Sequence, residues 1–142
     1  MRANPLREKW PTGETAYGGW MTIPSSVTAE VMAVHDLDYL CVDMQHGLVG
    51  YADSVSMLQA VSLGSATPLV RVPENTTSHI SKALDAGAMG VIVPMVNTVE
   101  EAEAAARACF YAPKGGPSCG PNRVGAGEGH AHFARANPTE GC

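Results

Sequence analysis

Asp43 and His46 stand three residues apart just beyond an apolar run, YLCV, and Arg71 lies near the end of a second, PLVRV. An imidazole titrates near pH 6.5 and exchanges protons in both directions at neutral pH, which is the chemistry of a general base. The plain alternative for His46 is a solvated loop histidine. A carboxylate at Asp43 either holds an imidazole tautomer, orients an arginine or simply forms a turn. Arg71 sits inside LVRVP, where an unpaired charge is costly to bury, so something negative should meet it. Its guanidinium fork suits a substrate carboxylate or a developing oxyanion, and it equally suits an ion pair with Asp43 or another acid. Asp85 falls in the last turn of an expected helix, beside carbonyl groups of like sign, a placement unfavourable by about 0.3–1 kcal/mol unless a cation offsets it. Lys82, three residues back, is one such cation and an active-site histidine is another.

The other histidines offer less. His35 fits a helix end, His79 an exposed helical turn, and the His130–His132 pair lies in a Gly/Ala-rich stretch without a third ligand nearby. The four cysteines, Cys41, Cys109, Cys119 and Cys142, form no CxxC pair. Reduced thiols are expected, with Cys41 and Cys109 acting as small core residues.

The elements that position these groups follow from hydrophobic spacing. GGWMTI (18–23) reads as a strand, and Pro24, Ser25 and Ser26 then supply turn and cap residues. Val27, Val31 and Val34 recur at helical spacing. YLCV (39–42) is a strand buried on both faces, followed by the loop MQHGLVG and a helix marked by Ala52, Val55, Leu58 and Val61. PLVRV (68–72) makes a third strand, with Pro68 tolerated at its start. Ile80, Ala83 and Leu84 mark a third helix, and Gly87 stands where a left-handed cap is wanted. GVIV (90–93) is the fourth strand. Thr98 and Glu101 form a capping box for a helix running to about Cys109. Strand and helix thus alternate, which predicts an α/β fold with parallel strands and right-handed crossovers. In such folds the loops leaving the carboxyl ends of the strands build the site, so Asp43, His46 and Arg71 are expected to converge. From Ala112 to Cys142 the chain is rich in glycine and proline and holds no apolar run suited to a fifth strand.

The 142 residues, 45% apolar and 16% charged, fit one globular domain. A net charge of −5 has the wrong sign for a protein that neutralises phosphates along a nucleic acid. No apolar run approaches the length of a membrane span, and the amino terminus lacks the apolar stretch of a secretory signal, so a cytoplasmic location is expected. No glycine fingerprint follows the first strand, which leaves a nucleotide-binding sheet without support.

The segments GGWMTIPSS, DYLCVDMQHG, PLVRVPEN, KALDAGAMGVIVPMVNTVEEAEAA and YAPKGG, in this order over roughly residues 18–137, resemble the HpcH/HpaI aldolases. The resemblance implies the N-terminal half of a (β/α)8 barrel, with barrel units over 18–110 and a loop or tail over 111–142. It implies a metal-dependent pyruvate aldolase that reversibly cleaves a 4-hydroxy-2-oxo acid into pyruvate, or a close 2-oxo acid, and an aldehyde. His46 would be the base, Arg71 would bind substrate and stabilise enolate-like charge, Asp85 would raise the basicity of the histidine, and Asp43 would support this network. The divalent metal, Mg2+ or Mn2+, would be held by a Glu and an Asp expected beyond Cys142. A homo-oligomer, a hexamer in the family, is also implied. One departure falls at Pro117-Ser118-Cys119-Gly120, where the family carries an arginine in place of the proline. Two rivals stand beside this reading: a non-catalytic remnant or oligomerising module that lacks the metal ligands, and lyase chemistry on an acyl-thioester.

Overall fold

A computed structural model describes residues 4–111 together with Gly115, Arg123 and Ala126. The expectations for Pro117–Gly120, His130, His132 and Cys142 lie outside the described residues. A short helix α1 (Pro5–Lys9) and a 3-10 turn (Trp10–Thr12) precede β1 (Gly18–Met21). Then come α2 (Ser26–Ala33), β2 (Tyr39–Asp43), α3 (Tyr51–Val61), β3 (Thr67–Arg71), α4 (Thr77–Asp85), β4 (Gly90–Ile92) and α5 (Val99–Ala108). All neighbouring strands pair parallel, in the order β1-β2-β3-β4.

Local chemistry accounts for the helix boundaries. Ser25 and Thr76 accept backbone N–H bonds from the first turns of α2 and α4. At α5 the Thr98 hydroxyl accepts from Glu101 N at 3.2 Å while the Glu101 carboxylate accepts from Thr98 N at 3.2 Å, the reciprocal box the sequence predicts. Helix α4 stops in a Schellman motif: Gly87 N donates to Leu84 O and Ala88 N to Ala83 O, with Gly87 at φ 104°.

A strand order that follows the chain, joined by crossovers of one hand, places every helix on the same side of the sheet. Alternation along each strand then divides the side chains. Leu40, Val42, Val70, Val72 and Val91 face the helices and pack with Met57, Leu58, Val61, Ile80 and Leu84. Cys41 and Leu69 face the other way and, among the described residues, share their buried cluster with Leu6 of α1 alone, with Ala16, Tyr39 and Ile92 around them. Helix α1 carries no periodic signal long enough to predict from sequence. It is tethered by Lys9 to Asp38 at 2.9 Å and by Asn4 Nδ2 to the Met89 carbonyl at 3.0 Å.

One expectation changes, that of a reduced Cys109, and the direction of the α2 valines, which their spacing leaves open, is now fixed. The valines that identify α2 by their spacing lie on its outer side, with Val27 67%, Val31 57% and Val34 76% exposed, whereas Ala29 and Ala33 are the buried residues. Small residues face inward there because the chain packs closely: a Cβ added at Gly64, in the turn after α3, would fall on the Ala33 carbonyl. Cys109 is buried as expected, but it is disulfide-bonded and not a reduced thiol; Cys41 is the free cysteine among the described residues. Among the same residues no helix is long and apolar enough to cross a membrane.

Leu58→Ala, at a fully buried position, should cost about 2–5 kcal/mol of stability, whereas Val31→Lys should change it by less than about 0.5 kcal/mol. Urea unfolding of the two variants beside the parent checks this, and equal losses would contradict the placement of α2.

Candidate functional site

The pairing of β2 with β3 sets Asp43 directly beside Arg71 at the carboxyl end of the sheet. Period-two alternation turns both away from the helices, onto the face that carries Cys41 and Leu69. The two side chains form a two-point ion pair: Arg71 Nε donates to Asp43 Oδ1 at 2.9 Å and Nη2 donates to Oδ2 at 2.5 Å. Between the two partners of Arg71 that the sequence leaves open, the structure supplies the carboxylate of Asp43.

Asp43 is 1% exposed and collects five donors in all. Besides the guanidinium, Oδ1 accepts the backbone N–H groups of Gln45 at 3.0 Å and His46 at 3.1 Å, and Oδ2 accepts Trp20 Nε1 at 3.1 Å. The bond from Arg71 holds the carboxyl well below the usual carboxylate range. Burial opposes this, and the Trp20, His46 and Gln45 N–H groups reinforce it. The carboxylate also ties down the loop after β2, which turns sharply at Gly47, where a Cβ would fall on the Asp43 carbonyl oxygen.

His46 is delivered by that loop to the same end of the sheet. Its side chain is exposed, and its imidazole makes no hydrogen bond among the described residues, while its backbone is fixed by Asp43. Such a ring is open to solvent or to a ligand. The Nε and Nη2 edge of Arg71 belongs to Asp43, and its Nη1 makes no hydrogen bond among the described residues. The guanidinium therefore retains donors for an outside anion.

Asp85 is not part of this cluster. Helix α4 leaves the carboxyl end of β3 and returns to the start of β4, so its last residue lies at the opposite end of the sheet. There Asp85 Oδ1 accepts the Tyr111 hydroxyl at 3.0 Å. Lys82, the local cation considered for it, lies instead over the Tyr51 ring, 5.5 Å from its centroid. His79 contacts Thr76 Oγ1 at 2.9 Å and Glu74 at 3.4 Å, local partners on its own turn. The Cys41 thiol, on the inner face, is pushed up to about 12 by burial and is no nucleophile at neutral pH.

Sequence reasoning missed Trp20. Besides bonding Asp43, its ring lies 5.1 Å from the guanidinium carbon of Arg71. The available signal was the alternation in GGWM, which puts Gly18 and Trp20 on the inner face across from Tyr39 and Cys41. Among the described residues no three His, Cys, Asp or Glu side chains gather as a metal site. The Asp43 oxygens are already saturated by donors, so the described residues do not fit the divalent metal that the sequence resemblance implies.

Residues 17–124 match the HpcH/HpaI aldolase/citrate lyase family. The chain is 42% identical over 136 residues to a hydroxypyruvate/pyruvate aldolase of Rhizorhabdus wittichii, covering 96% of this chain and 54% of that protein. It is 35% identical over 112 residues to a 2-keto-3-deoxy-L-rhamnonate aldolase of Shigella sonnei, covering 79% of this chain and 42% of the relative. The crystal structure of an HpcH/HpaI aldolase/citrate lyase family protein from Burkholderia cenocepacia superposes with a TM-score of 0.88 at 28% identity, over 97% of this chain and 57% of that one. The chain thus spans about half the length of the curated relatives it matches, and its four parallel units are the N-terminal half of a (β/α)8 barrel.

Because the folded-state carboxyl of Asp43 is depressed, its contribution to stability is complete above the unfolded-state value near pH 3.9 and is lost as pH falls towards the folded-state one. Asp43→Asn should therefore cost about 3 kcal/mol at pH 7, and the gap from the parent should narrow only below about pH 4. Unfolding curves between pH 2 and 7 test this; a gap that closes already near pH 6 would show that the Asp43 carboxylate is not the group that stabilises this end of the sheet.

Proposed function

Because the chain belongs to the HpcH/HpaI aldolase/citrate lyase family, we propose that it carries the base and the anion-binding side of an aldolase that reversibly cleaves a 4-hydroxy-2-oxo acid. The products are pyruvate, or a close 2-oxo acid, and an aldehyde. The supporting observation is the Asp43-locked guanidinium with donors to spare at the carboxyl end of adjacent strands, the end at which Asp43 also fixes the backbone of the exposed His46.

In this scheme the free donors of Arg71 bind the oxo-acid end of the substrate. As the C3–C4 bond breaks, its electron pair moves toward the oxo group, and the fixed positive charge of Arg71 meets the enolate oxygen that develops there. His46, directly or through a water, accepts the proton of the C4 hydroxyl, whose oxygen becomes the aldehyde carbonyl, and the return of a proton from the imidazolium or from water to C3 of the enolate completes pyruvate. Asp43 reacts with nothing: it aligns Arg71 and pins the backbone that presents His46. Mg2+ or Mn2+ belongs to the proposal as a Lewis acid held by groups other than the described ones. Asp85 enters only where a neighbouring copy in a homo-oligomer brings it to His46. A cytoplasmic setting and small-molecule partners, without nucleic acid or membrane, complete the reading and agree with the net charge of −5.

The test is release of pyruvate from a 4-hydroxy-2-oxo acid with added Mn2+, measured on this chain and on a fusion that continues it with the C-terminal half of the R. wittichii relative. Pyruvate release by the fusion is expected, with His46→Ala lowering kcat by about a hundredfold or more. An inactive, folded fusion, or a His46→Ala rate equal to the parent's, would overturn the scheme. Activity of the fusion without activity of the 142-residue chain would favour a non-catalytic role for the shorter form.

A further inference from the structure

Trp20 lies on edge strand β1 opposite Cys41, two residues short of the level of Asp43. To touch Asp43 its indole must lean along the sheet toward the carboxyl ends of the strands, and it does so while remaining 44% exposed. Burial alone does not dictate that pose, since an indole this exposed has water available for its N–H. What the pose achieves is contact with both members of the ion pair. Nε1 donates at 3.1 Å to Oδ2, the oxygen that also takes Arg71 Nη2, and the ring lies 5.1 Å from the guanidinium carbon.

The mechanical consequence concerns rotation. The terminal torsion of an aspartate is broad, so two bonds to one guanidinium leave the pair free to rock together. Oδ1 is already fixed to the loop by the Gln45 and His46 N–H groups. Oδ2 has a second anchor only in Trp20 among the described residues, and the same ring flanks Arg71 as a cation–π partner. We infer that Trp20 is a positioning residue of this site: its N–H and its ring fix the plane in which Asp43 grips Arg71, and so the angle at which the remaining guanidinium donors meet an anion. The inference rests on the aldolase reading only for the identity of that anion, a 2-oxo acid.

The experiment follows arginine Nε–H and indole N–H signals of the 142-residue chain by NMR. In the unaltered chain the Trp20 indole should exchange with solvent about tenfold more slowly than that of Trp10, although the two are comparably exposed at 44% and 57%. Trp20→Phe keeps a ring but removes the N–H, and should speed exchange of the Arg71 Nε–H about tenfold. In the pyruvate-release assay on the fused protein the same substitution should lower kcat about tenfold and leave KM within about twofold, the pattern of a contact that matters in the transition state. Equal exchange at the two indoles, or an Arg71 signal unmoved by Trp20→Phe, would overturn the inference. Absence of pyruvate release from every variant, with both NMR results obtained, would overturn the aldolase reading and leave the positioning role standing.

Discussion

The pairing of the Asp43 carboxylate with the Arg71 guanidinium is the interaction on which the site depends. Each charge would be costly where it stands without the other, because Asp43 is almost fully buried and the Arg71 side chain is 22% exposed. Direct register of β2 with β3 makes the pair possible without distortion, and five donors on one carboxylate make it specific. That crowding has a functional side. A carboxylate saturated by N–H groups is a poor proton acceptor and a poor metal ligand, so Asp43 acts by holding neighbours in place. In the proposed scheme, the donors it leaves unused on Arg71 and the loop it pins beneath His46 are where substrate is engaged.

The sheet order imposes a second constraint. Four parallel strands laid down in chain order place α2 to α5 on one side, so the helix-facing core is large and closed. The opposite face gathers Leu6, Cys41 and Leu69 in its buried cluster and carries Asp43 and Arg71 at its carboxyl end. Relatives that share this architecture are about twice as long, and in a complete (β/α)8 barrel this inner face is the packed interior beneath the site. Charged groups at the strand ends and apolar ones deeper in the strands thus obey one geometric rule, the two-residue alternation of a sheet.

Most elements were legible because their signals are local. The Thr98–Glu101 box, the Gly87 cap and the apolar runs of β2, β3 and β4 depend on residues a few positions apart, and each element forms within a residue or two of its expected bounds. Where reading failed, the deciding contacts were remote. Helix α1 is too short to show a period and is held by Asp38 and Met89, far along the chain. The stripe of Val27, Val31 and Val34 correctly marks a helix, yet spacing reveals that a face exists without revealing which way it turns; close packing of α2 on α3 selected the alanines. Cys109 looked like an ordinary core thiol because residue type says nothing about a bonding partner.

For the site, the sequence alone determined the residue types at the strand ends and the α/β alternation that carries Asp43, His46 and Arg71 to one end of a sheet. It left the partner of Arg71 open and did not reveal Trp20. Tertiary structure decided both, since strand register matches residues 28 positions apart and an indole on β1 reaches diagonally across β2. The alternation that carries those three residues to one end also sends Asp85 to the other, because a helix that follows a strand must run back along the sheet. What only the tertiary structure decided for Asp85 is its partner there, the Tyr111 hydroxyl 26 positions away, because the packing of α4 with α5, and no local residue type, brings the two together.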